Sequence, residues 1–140
     1  MRRAKKLFCV AAQRTSRHCG VGPGLLTVPF GRAGGAVCGR TCVFVRVWEY
    51  EVPDDRAAAF IAGYARDGAW GQLFGRAAGF VGTELYRDAG RDDRYLTIDR
   101  WQDEQDWRSF LVAFGSAYDS LDARLEGLAV AERSLFEGSS

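Results

Sequence analysis

The sequence predicts an α+β domain, an antiparallel sheet in βαββαβ order with helices on one face. Three observations carry this. Four short β-branched or aromatic stretches are separated by helix-period segments. One of those segments keeps a single apolar stripe over five turns. Composition also changes abruptly at Val43, so the pattern belongs to one part of the chain.

The formal net charge of +1 hides an asymmetry. Residues 1–42 carry eight basic residues and no acid, a charge of +8. Residues 43–140 carry −7. All four cysteines (Cys9, Cys19, Cys38, Cys42) and the single His18 lie in the basic part. Glycine and proline recur between Gly20 and Gly39 without helical or strand period, which predicts a poorly ordered lead-in. Leu7 to Ala12 is too short for the apolar region of a secretory signal, although the composition also suits a transit peptide. The Cys38-x-x-x-Cys42 spacing with Cys19 and His18 is irregular and predicts no zinc site. Basic charge without a fold argues against a nucleic-acid arm. With 17 Arg against 2 Lys and no Asn, the bias suggests a GC-rich genome. The expectation is a true start near Val43 or Val45, which intact mass of the native protein checks.

The folded part is read as residues 43–136, followed by a tail at 137–140. Val43 to Glu51 is strand-like, with Phe44, Arg46, Trp48 and Tyr50 on one face. Pro53, Asp54 and Asp55 open a helix, in which Ala57, Phe60, Ile61 and Tyr64 form a stripe. A second short helix carries Ala69, Trp70, Leu73, Phe74 and Ala77, with Gly79 as its cap. Phe80–Asp88 and Tyr95–Trp101 alternate as a hairpin closed by Ala89–Asp93. Asp103 caps a helix to Glu126 whose stripe is Trp107, Phe110, Leu111, Phe114, Tyr118, Leu121 and Leu125. Gly127 ends it, and Leu128–Phe136 is the fourth strand. This order is the split βαβ, or ferredoxin-like, arrangement. Helices on one face leave the other bare, and a second copy is its expected cover.

The run Ala69-Trp70-x-x-Leu73-Phe74 precedes Gly79-Phe80-x-Gly82-Thr83-Glu84-Leu85. Tyr95-Leu96-Thr97-Ile98-Asp99-Arg100-Trp101 then leads into an aromatic helix. Together they resemble the antibiotic biosynthesis monooxygenase domain over about residues 43–136. The resemblance implies a dimeric α+β barrel with a hydrophobic pocket between sheet and helices in each subunit. Characterised relatives include cofactor-free oxygenases of aromatic polyketides, quinol oxygenases and haem-degrading enzymes. Trp101 matches a tryptophan that lines the pocket in the oxygenases. Those members also use an asparagine on the first strand, where this chain places Trp48. The haem-degrading members need a histidine on the long helix, and this helix has none.

Oxygenation without a cofactor needs a base and a group that stabilises the substrate anion. Asp99 shares a face with Tyr95 and Trp101 and is the favoured base over Glu84. Arg46 is the favoured oxyanion partner, since Arg100 alternates to the opposite face. Arg46, Asp99 and Trp101 are thus the candidate catalytic residues. Trp48, Tyr50, Trp70, Phe74, Tyr86, Tyr95 and Trp107 are the candidate substrate-binding residues. The plainer alternatives are aromatic core for the tryptophans, for Tyr64 and for Tyr118, and cross-strand Arg pairing for Glu84 and Asp99. Ser109, Ser116 and Ser120 lack a base partner, and no phosphate loop or dinucleotide fingerprint is present.

Two functions remain: a monooxygenase acting on a phenol, quinol or aromatic polyketide, or a non-catalytic barrel binding a small hydrophobic molecule or serving a pathway as an accessory. Both imply a homodimer in the cytoplasm, with no metal, cofactor, nucleic-acid or membrane partner. No apolar run approaches the roughly 18 residues a membrane span requires.

Overall fold

The computed structural model describes residues 43–140. The expectations for the Cys9, Cys19, Cys38, Cys42 and His18 region therefore lie outside the described residues. The order is β1 (Phe44–Glu51), α1 (Asp54–Tyr64), α2 (Ala69–Phe74), β2 (Phe80–Arg87), β3 (Arg94–Trp101), α3 (Glu104–Leu125) and β4 (Ala131–Ser139). The four strands form one antiparallel sheet ordered β2-β3-β1-β4. The fold is the α+β ferredoxin-like one, and the sheet is open rather than closed into a barrel. No helix among the described residues is long and apolar enough to cross a membrane.

The two central strands alternate cleanly. Phe44, Arg46, Trp48 and Tyr50 of β1 are buried, as are Tyr95, Thr97, Asp99 and Trp101 of β3. This inner face packs on the helices. Facing it are Phe60 and Tyr64 of α1, Trp70 and Phe74 of α2, and Trp107, Phe110 and Tyr118 of α3. The aromatic rings meet in tilted and edge-on pairs, a geometry worth about 0.5–1.5 kcal/mol per pair beyond area burial.

The long helix forms as expected. Asp103 sits at its N-cap, where its side chain accepts from the Asp106 N–H. Gly127 follows with φ 85°, the left-handed turn that releases the chain toward β4.

Four boundaries and faces differ from the sequence reading. Ile61 is exposed, and α1 buries Phe60, Gly63 and Tyr64 instead. α2 stops at Phe74 with Gly75 as its cap, so Ala77 is not helical. Gly79 lies at the entry to β2, where a Cβ would collide with the Asp106 side chain. β4 begins later than Leu128 and continues to Ser139, so Glu137, Gly138 and Ser139 are strand residues rather than tail. The apolar Leu128-Ala129-Val130 drew the reading too early, whereas β4 is an exposed edge strand with no apolar period.

Candidate active site

The β1–β3 register builds a ladder of inner-face rungs: Phe44 opposite Trp101, Arg46 opposite Asp99, Trp48 opposite Thr97, and Tyr50 opposite Tyr95. The end rungs are aromatic and the second is ionic. Its row continues across the whole sheet. On β2, Thr83 stands opposite Asp99, and its hydroxyl donates to Asp99 Oδ1 at 2.6 Å. On β4, Glu137 stands opposite Arg46 and accepts from Arg46 Nε at 2.9 Å. Thr83, Asp99, Arg46 and Glu137 therefore form one polar line under an aromatic layer.

Arg46 is only 4% exposed and Asp99 only 8%. The Arg46 guanidinium lies 4.1 Å from the centre of the Trp107 ring and 5.6 Å from that of Trp48, in cation–π range. Burial works against its charge, but Tyr118, Glu137 and Asp99 outweigh it and hold the guanidinium above its ordinary value. The cation is thus permanent. Burial raises the Tyr118 phenol, with Arg46 opposing and Asp122 and Asp99 adding to the rise. Tyr50 is raised well above its usual range by burial, then by Tyr64, Glu132 and Asp99. Both phenols therefore stay protonated.

Trp101 is fully buried and packs on Phe74, Phe80, Trp107 and Phe110 with centroids 5.2–5.6 Å away. Its indole N–H is buried without a hydrogen-bond partner. An orphan donor of this kind costs about 1–3 kcal/mol, so it calls for a reason beyond packing.

The structure brings together Arg46, Asp99, Trp101, Trp48, Trp70, Phe74 and Trp107 around the interior. Tyr50 and Tyr95 lie at the opposite end of the ladder, against Phe60. Tyr86 does not join them. It is 50% exposed on the outer face, and its hydroxyl donates to Glu84. Glu84 in turn pairs with Arg100 on that face, the cross-strand pairing the plainer alternative expected. The cause of the Tyr86 error is a bulge. The β2 register shifts between Phe80 and Gly82, so Phe80 points inward while Tyr86, six residues on, points outward. Residues the sequence reading missed are Thr83 and Glu137, which complete the row, and the Tyr118 hydroxyl beside Arg46.

Residues 43–112, half of the 140-residue chain, match the family model described as antibiotic biosynthesis monooxygenase. The chain belongs to this family. Two solved structures agree on the fold. A Nitrosomonas europaea protein assigned to the antibiotic biosynthesis monooxygenases superposes with a TM-score of 0.53 at 13% identity, covering 69% of this chain and 88% of that one. A Bordetella bronchiseptica protein with the same assignment gives 0.52 at 18% identity, covering 67% and 93%. A variant of SnoaB, a cofactor-independent oxygenase from Streptomyces nogalater, gives 0.49 at 20% identity, covering 67% and 91%. No curated protein matches this chain.

Proposed function

We propose that this antibiotic biosynthesis monooxygenase family member oxygenates a small aromatic phenol, quinol or polyketide without a cofactor. The observation that carries the reading is the buried Arg46–Asp99 rung. Such a pair contributes little to stability compared with apolar residues of similar volume. It does supply the two groups the chemistry requires, a proton acceptor beside a fixed cation.

In this mechanism Asp99 takes a proton from an acidic ring position or hydroxyl of the substrate. The negative charge that develops on the substrate oxygen is held by the Arg46 guanidinium and the free Trp101 N–H. The anion is electron-rich enough to give one electron to dioxygen, and the radical pair combines at carbon to a peroxide. Cleavage of the O–O bond releases water, with Asp99 returning the proton. For an activated methylene the balance is CH2 plus O2 to C=O plus H2O. Trp48, Trp70, Phe74 and Trp107 supply the apolar walls, with Tyr50 and Tyr95 at the far end.

The functional unit in this reading is a homodimer. Val45, Val47, Leu96 and Ile98 of the outer face are half-buried in the single chain, and Phe136 is exposed beside them. A second copy seated there covers this apolar strip.

A second reading is favoured by the close packing of Trp101 against four rings. It is a non-catalytic dimeric barrel that binds a small hydrophobic molecule or serves as a pathway accessory. Oxygen uptake and tryptophan quenching separate the two when purified protein meets anthrone- and quinol-type phenols in air. Uptake that falls by about 10²-fold or more in Asp99→Asn and Arg46→Met supports the oxygenase. Quenching without uptake overturns it in favour of the binder.

A further inference from the structure

The outer surface between α2 and α3 carries a second feature, independent of the interior site. Residues Ala69, Gln72, Leu73 and Arg76 of the α2 region face Ala117, Ser120, Leu121 and Arg124 of α3 across an open cavity of about 470 Å³. That volume falls within the range of small-molecule sites. The floor is apolar, with Leu73 and Leu121 both buried. The rim carries two guanidinium groups, and no Asp or Glu lines the cavity.

The charge pattern sets this groove apart. Residues 43–140 contain 11 arginines. Among these described residues, eight make ion pairs: Arg46, Arg56, Arg87, Arg91, Arg94, Arg100, Arg108 and Arg133. Arg66, Arg76 and Arg124 make none among the described residues, and the last two open onto this one groove. Arg76 is also held in place, its guanidinium 4.8 Å from the centre of the Phe114 ring. A guanidinium fixed on an aromatic face keeps its donor edge free for an anion. In a domain of net charge −7 that pairs eight of its 11 arginines, two neighbouring cations without a carboxylate mark a site whose acid comes from outside the chain.

We propose that the α2–α3 groove binds a small aromatic carboxylate. Its ring lies on Leu73 and Leu121 between Ala69 and Ala117, and its carboxylate bridges Arg76 and Arg124. Gln72 stands at the rim with the second hydrogen of its Nε2 as a further donor, the first being given to the Asp67 carbonyl. The apolar floor selects against simple inorganic anions, and the two arginines select against neutral rings. The proposal does not rest on the oxygenase reading, because none of its residues belongs to the polar row.

The site has an internal reporter. Trp70 follows Ala69 in the chain and packs on Tyr118, the neighbour of Ala117, at 4.9 Å between ring centres. Occupancy of the groove is therefore sensed one residue away by an indole.

The test is a titration of the full chain with 2-naphthoate, followed by calorimetry and by two-dimensional NMR of the backbone amides. 2-Naphthamide and inorganic phosphate are the controls. Naphthoate binding at about millimolar affinity or better is expected, with shifts centred on residues 69–76 and 117–124. Arg76→Gln/Arg124→Gln should weaken it by at least about tenfold, and naphthamide and phosphate should bind at least about tenfold more weakly than naphthoate. Both arginines are exposed, so unchanged thermal unfolding of the double variant confirms that the fold is intact. Asp99→Asn should leave naphthoate binding unchanged, which separates this site from the interior one. Equal binding of naphthamide, equal binding to the double variant, shifts confined to the interior, or no binding at millimolar ligand would each overturn the proposal.

Discussion

Neutralising the buried cation tests whether the polar row serves the fold or the chemistry. Arg46→Met keeps an apolar side chain in place of the aliphatic stem but removes the charge and its cation–π contacts with Trp107 and Trp48. Asp99 and Glu137 are then left facing each other's field, with Asp99 only 8% exposed. Breaking a buried pair on one side costs about 3–5 kcal/mol, because the remaining charge is uncompensated. Glu137 lies on an exposed edge strand and can rehydrate, which places the estimate near about 3–4 kcal/mol. For a domain of this size that lowers the melting temperature by roughly 15–25 °C. The triple variant Arg46→Met/Asp99→Asn/Glu137→Gln removes the charges together. Replacing a buried ionic group as a unit is often neutral or stabilising, so most of the lost stability should return. Thermal unfolding followed by circular dichroism reads both. Recovery of stability without recovery of activity identifies the row as chemistry held at the fold's expense. A triple variant as unstable as the single one refutes this reasoning and makes the row a structural element.

Three further outcomes follow from individual contacts. Thr83→Val keeps the shape but removes the hydroxyl donated to Asp99 Oδ1 from β2; it should destabilise by about 1.5–3 kcal/mol in urea unfolding, the range for hydrogen bonds to charged groups. Gly71→Ala places a Cβ far inside contact distance of the Arg66 carbonyl oxygen; unfolding should show a loss of about 2 kcal/mol or more, since backbone on backbone has little room to give. The hydrogen bond from Arg94 holds the Glu49 carboxyl below its usual value of 4.5, with Arg133 reinforcing it. A depressed folded-state value means the contribution is present above the ordinary value and is lost as pH falls below 4.5 toward the folded one. Arg94→Gln should therefore flatten the acid side of the stability–pH profile while leaving its neutral-to-basic side parallel to that of the unsubstituted protein.

The parts of the site that were legible in the sequence lie on the two central strands. There one face is buried and the other is not, so a period of two assigns every side chain, and Arg46, Asp99 and Trp101 fall together by parity alone. The edge strands were less legible for a definite reason. On β2 the register shifts between Phe80 and Gly82, and on β4 it shifts beside Val47 and Trp48. Each shift inserts one residue and reverses the faces beyond it. Counted straight from an inward Phe80, Tyr86 would point inward and Thr83 outward, the reverse of what is found. Counted straight from Glu132 and Ser134, Glu137 would point away from Arg46, whose Nε it accepts. The two irregularities flank the polar row, one on each edge strand, and their joint effect is to bring its two outer members onto the inner face. Bulges re-aim side chains in this way beside functional sites, at the cost of locally disrupted pairing. The alternating pattern thus places the central pair, and the ends of the row depend on two departures from that pattern, which only strand pairing reveals.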